Sequence, residues 1–266
     1  MLSFLAPARR RLVVLALAVV LAIVVTVLVV VLRSGADAPS VAQDRPGPVL
    51  LVPGYGGSAD SLQVLATKLR QSGRDAEVVA LPGNGTGDLT AQAGALASAA
   101  TAAVTRSGAG SVDVVGYSAG GVVARLWVAQ LGGARVARRV VTLGSPQHGT
   151  SLAALAGGLV PSLCPLACQQ LDPTSDLLRR LNATDETPDG PSFVSIWSTV
   201  DQVVTPPDSA RLTGALNLTV QSVCASSTVA HGDLPRDPVS SSIVVAELAV
   251  GPPRPLTAAD CPAMSQ

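Results

Sequence analysis

The chain has 266 residues, 18 Lys+Arg against 18 Asp+Glu, 48% hydrophobic residues and only 2% aromatic ones. This balance carries none of the basic footprint of a nucleic-acid binder, so no nucleic-acid partner is expected. The length suffices for one large core, which must be aliphatic.

From Leu12 to Leu32 the sequence is uncharged and almost wholly aliphatic. As a helix rising about 1.5 Å per residue, this run spans roughly the 30 Å of a bilayer's hydrocarbon layer. Arg9, Arg10 and Arg11 precede it, which favours a cytoplasmic N-terminus. Two readings stand. One is a retained signal anchor, since a cleavable signal has an apolar region of only about 7–15 residues. The other is an export signal cleaved near Ala36-Asp37-Ala38 or Val41-Ala42. Under both, residues 1–33 are a targeting segment, and the remainder is membrane-anchored or secreted and acts outside the cytoplasm. The cysteines agree. Cys164, Cys168, Cys224 and Cys261 include no C-x-x-C pair, and no histidines cluster near them, so disulfides account for them better than a structural metal does. Of the three possible pairings, 164–168 with 224–261 is favoured.

Residues 34–47 read as a linker rich in Ala, Pro, Asp and Ser, and a globular domain is expected over 48–250. Val49-Leu50-Leu51-Val52 is a continuous apolar run, as in a strand covered on both faces. It ends in Pro53-Gly54-Tyr55-Gly56-Gly57. Ser61 caps a helix with Leu62, Leu65, Ala66 and Leu69 on one face, stopped by Gly73. A strand from Ala76 to Leu81, a glycine-rich loop, an alanine-rich helix from Thr90 to about Arg106 and a strand at Val112 follow. Another strand covers Val140 to Leu143. Residues 151–191 lose regularity, apart from a short helix at 175–181, and read as a cap insertion. Strands are expected at 193–198 and 216–223, a closing helix at 241–250, and a proline-rich tail, 251–266, held by Cys261. Strands alternating with helices predict an α/β fold: a mostly parallel sheet of about six strands with helices on both faces. Right-handed crossovers then gather the loops that follow the strands at one rim.

Those loops carry the chemistry. Gly116-Tyr117-Ser118-Ala119-Gly120 lies between an apolar strand and a periodic helix, the context that makes G-x-S-x-G a nucleophile turn. A serine needs a base, and the chain has only two histidines. In this fold the order is Ser, acid, His, so His231 fits and His148, which precedes every credible acid, is the rival. Asp201, just beyond a strand end, is the expected acid, with Asp208 as its alternative; Asp185, Glu186 and Asp189 lie in the insertion and are expected to be solvated. The oxyanion donors are expected to be the backbone amides of Tyr55 and Ala119.

Taken together, these segments resemble the α/β-hydrolase superfamily, and within it the small bacterial lipases and esterases called class 2 lipases. The resemblance rests on residues 52–57, 116–121, 142–150, the Asp201 loop and His231-Gly232-Asp233-Leu234-Pro235. Relatives often have histidine where this chain has Pro53, Tyr117 or Gln147, and none of these is a triad position. The resemblance implies hydrolysis of carboxylic esters, lipid or otherwise apolar, through an acyl-enzyme and without a cofactor. Some relatives bind calcium, but no acidic cluster here calls for it, so no metal is expected. A cell-envelope acyltransferase with the same triad, or a non-catalytic hydrolase-like envelope protein, are the alternatives.

Overall fold

The computed structural model describes residues 16–26, 41–159 and 161–265. Residues 16–26 are helical and belong to a separate unit. The remainder of the Leu12–Leu32 run lies outside the described residues, and among those described no helix is long and apolar enough to cross a membrane.

The second unit is built on six strands: β1 (Val49–Val52), β2 (Ala76–Val78), β3 (Val112–Tyr117), β4 (Ala137–Leu143), β5 (Ser192–Trp197) and β6 (Leu216–Thr219). They run in the order β2-β1-β3-β4-β5-β6, and every neighbouring pair is parallel. The chain steps outward from β1 to β2, then returns to β3 on the other side of β1. The crossovers from β1 and β3 thus leave in opposite directions, so the sheet's topological switch point falls between these two strands, at whose C-terminal ends α/β sheets place their ligands.

Strand pleating divides the core in two. Leu50, Val52, Val112, Val114 and Val140 pack against the helices Leu89–Ser107 and Ala119–Gln130. Val49, Leu51, Val115, Val141, Val194 and Ile196 pack against Gln63–Gln71 and Pro238–Glu247. These side chains are fully or almost fully buried, which explains why the strands read as unbroken apolar runs. The opposite ends of the strands are tied by charge. Asp113, buried in β3, accepts from Arg138 Nη2 at 2.6 Å and from Arg74 Nη2 at 2.5 Å. Arg138 also donates to the carbonyls of Gln43 and Leu248, joining the segment that enters the unit to the end of the last long helix.

Several elements differ from expectation. Among the described residues, 151–191 hold three α-helices, Ser151–Leu159, Leu166–Gln170 and Asp176–Leu181, where only the last was expected. Leu152 to Ala156 are strong helix formers, and the two glycines that obscured the pattern fall in the first helix's last turn. The strand expected over 216–223 stops at Thr219, whose hydroxyl accepts the Ser222 amide at 2.9 Å and caps the short helix Val220–Val223. The tail is held by more than a cysteine: Leu256 and Met264 are buried in the second core cluster. Both favoured disulfides are present, Cys164–Cys168 and Cys224–Cys261.

Candidate active site

β3 runs into the helix Ala119–Gln130 with a single residue between them, Ser118, held at φ 52° and ψ −127°. It is the one described non-glycine residue with positive φ, a backbone that costs of order 1–3 kcal/mol and persists only where the surroundings enforce it. They do so here by close packing. A Cβ on Gly116 would meet Gly121 Cα at 2.5 Å, and one on Gly120 would meet the Val52 carbonyl oxygen at 2.2 Å. The Ser118 amide donates to the Leu143 carbonyl at 2.9 Å, fixing the turn to β4.

The fold brings three loops to this serine. His231 opens the 3-10 turn His231–Asp233, beyond β6. Its Nε2 lies 3.0 Å from Ser118 Oγ, and its Nδ1 lies 2.7 Å from Asp201 Oδ2. The Asp201 contact favours the tautomer with its hydrogen on Nδ1, which leaves Nε2 to accept from the serine hydroxyl. Asp201 is oriented in turn, because its Oδ1 accepts the amides of Val203 at 2.8 Å and Val204 at 2.9 Å. His231 and Asp201 are 7% and 4% exposed, so this chain of contacts lies largely out of water.

Of the two expected oxyanion donors, Ala119 follows the serine in the chain, and Tyr55 follows Gly54, which packs against the serine. Gly54 passes so near that a Cβ on it would stand 2.9 Å from Ser118 Cβ. The Gly57 amide donates to the Gly54 carbonyl at 3.0 Å, closing a turn whose own hydrogen bond does not use the Tyr55 amide. Ala119 is the first helical residue, one of the positions whose N–H has no intrahelical acceptor and carries the positive end of the helix dipole.

The rivals lie elsewhere. His148 Nδ1 faces the Ser209 carbonyl at 3.1 Å and Nε2 faces Glu186 Oε1 at 2.7 Å, so both its ring nitrogens are occupied away from the serine. Asp208 is exposed in the turn Pro207–Ala210. Glu186, expected to be solvated, is not: it accepts the Thr213 amide at 2.6 Å as well as meeting His148. Burial raises its pKa, but the Thr213 amide, His148 and Arg125 outweigh this and hold it below the usual glutamate value.

Two side chains that sequence reasoning passed over join the loops. The Tyr117 hydroxyl donates to the His231 carbonyl at 3.0 Å. Ser198 Oγ donates to the Val229 carbonyl at 2.7 Å and accepts from Gln221 Nε2 at 3.0 Å. Both lie within motifs that were read, but their partners are distant in sequence and no local signal marks them. Among the described residues, no group of three or more His, Cys, Asp or Glu is placed to hold a metal ion.

The parallel sheet, its switch point between β1 and β3, and the turn at Ser118 define an α/β-hydrolase. The chain belongs to the class 2 lipase family, which it matches over residues 99–237, just over half its length. Solved structures share the fold at low identity. Lipase B of Aspergillus fumigatus superposes with a TM-score of 0.65 at 19% identity, over 83% of this chain and 56% of that one. The Bacillus licheniformis lipase BlEst2 in its propeptide form gives 0.65 at 19%, over 84% of this chain and 54% of that one. The lin2722 gene product of Listeria innocua gives 0.53 at 16%, over 75% and 92%. The chain thus spans little more than half the length of the first two. No curated protein sequence matches it.

Proposed function

We propose that this chain is a serine carboxylic-ester hydrolase acting on lipid or other apolar acyl esters. The observation that carries the reading is the unbroken line from Asp201 through His231 to Ser118, with contacts of 2.7 and 3.0 Å. In this reading His231 Nε2 takes the serine proton as Oγ attacks the acyl carbon. Asp201 stabilises the imidazolium that forms. The backbone amides of Tyr55 and Ala119 bind the oxyanion as charge develops on it. The imidazolium passes its proton to the leaving alcohol, and the acyl-enzyme remains on Ser118. Water, activated by the same imidazole, then releases the acid and restores the serine.

Membership of the class 2 lipase family and the two lipases that share the fold support the ester class. The two disulfides support action outside the cytoplasm, where such bonds persist. The test is turnover of p-nitrophenyl esters of graded chain length by the full chain. Hydrolysis is expected, and it should be lost in Ser118→Ala. Hydrolysis that survives this substitution contradicts the reading.

A further inference from the structure

Tyr117 directly precedes the serine, yet its side chain acts on the loop that carries the histidine. Its hydroxyl donates to the His231 carbonyl at 3.0 Å, and its ring centroid lies 5.4 Å from that of the imidazole, with the planes tilted by 32°. One contact holds the backbone of His231, and the other bounds the rotation of its ring. The histidine needs such support. It begins a 3-10 turn of three residues, His231–Asp233, too short to be rigid alone. The other bond to its carbonyl, from the Leu234 amide, is longer at 3.3 Å. Tyr117 is 8% exposed, and burial pushes its phenol up to about 12; Asp201 and Asp233 add to the rise and Arg236 opposes it. The hydroxyl therefore remains a neutral donor well into the alkaline range.

We propose that Tyr117 is the positioning residue for His231, fastening the base to the strand that presents the nucleophile. This rests on the serine-hydrolase reading. Serine and tyrosine are neighbours in the chain, so the hydroxyl bond sets the spacing of the nucleophile and base loops across a single residue. Asp201 restrains the same ring from its other nitrogen. Without the phenol, the imidazole keeps Asp201 but loses its anchor to β3, and Nε2 spends less time within reach of Ser118 Oγ. Loss of reactive alignment lowers the chemical step and leaves substrate binding alone.

The test is Tyr117→Phe in the full chain, which keeps the ring and removes the hydroxyl. Rates on a p-nitrophenyl ester are taken per site titrated by a fluorophosphonate probe, so that loss of folded protein does not register. The expected result is kcat per site lower by about tenfold, the worth of one net hydrogen bond, with KM unchanged. A wild-type kcat, a change confined to KM, or a variant that does not fold would each overturn the assignment, the last by making Tyr117 a structural residue. A second arm leaves the side chain in place: 2,3,5-trifluorotyrosine at position 117 ionises at lower pH, and a phenolate cannot donate to a carbonyl. That protein should lose activity in the alkaline range where the natural chain keeps it, and parallel pH profiles would overturn the proposal. A natural chain that the probe does not label would sink the serine-hydrolase reading itself.

Discussion

Ser198, beyond the end of β5, donates its hydroxyl proton to the carbonyl of Val229 at 2.7 Å, so the strand that leads to Asp201 also holds the loop that leads to His231. The same oxygen accepts from the Val200 amide at 3.3 Å, on the Asp201 side. Ser198 is fully buried. Ser198→Ala would leave a buried carbonyl without its partner, at a cost of about 1–3 kcal/mol. It should lower the urea midpoint and reduce kcat on a short ester. Equal midpoints and equal kcat in the two proteins would show that this bond holds neither loop.

Gly144 follows β4 with φ +56°, a backbone that side chains rarely adopt. A Cβ there would meet Leu234 Cδ1 at 2.5 Å, with His231 Nδ1 at 3.4 Å and Asp201 Oδ2 at 3.5 Å. Gly144→Ala should therefore combine backbone strain with a forced shift of Leu234, which lies three residues from His231 on the same loop. The expectation is a loss of more than about 1 kcal/mol in stability together with a fall in kcat. Thermal melts and initial rates check it, and an unchanged rate would mean that Leu234 moves without disturbing the pair.

Glu247 makes stability depend on pH far from the site. Burial pushes its carboxyl from the ordinary 4.5 up to about 7, against the pull of Arg139 and the Arg254 backbone amide. Between those values the folded chain keeps a proton that the unfolded chain has released. This contribution is full below about 4.5, declines as pH rises, and is gone above about 7. Glu247→Gln removes the titration. The melting temperature of the variant relative to the natural chain should rise between these two pH values and then level off. Parallel curves across the window would contradict the assignment.

Much of the candidate site's geometry was legible because its pattern is written locally. An apolar strand, a glycine-flanked serine and a periodic helix stand in one stretch around Ser118, and with two histidines in the chain the order of loops picks out His231. Tyr117, Ser198 and Gly144 were not legible, because what they do depends on partners brought near by the crossovers. The Tyr117 hydroxyl meets a carbonyl 114 positions away. In the fold, strand cores were read well where burial on both faces leaves continuous apolar runs. The errors fell where a side chain or glycine overrides the pattern: Thr219 capping a helix within an apparent strand, and Gly157 and Gly158 closing a helix that looked irregular. Burial of Leu256 and Met264 had no periodic signal to announce it.

The most direct test of the account is the site of covalent labelling. The full chain is treated with a fluorophosphonate, digested and sequenced by mass spectrometry, alongside Asp201→Asn and His231→Ala. One adduct is expected, on Ser118, formed far more slowly in both variants. An adduct on another serine, or labelling of Ser118 at the natural rate without His231, would contradict it.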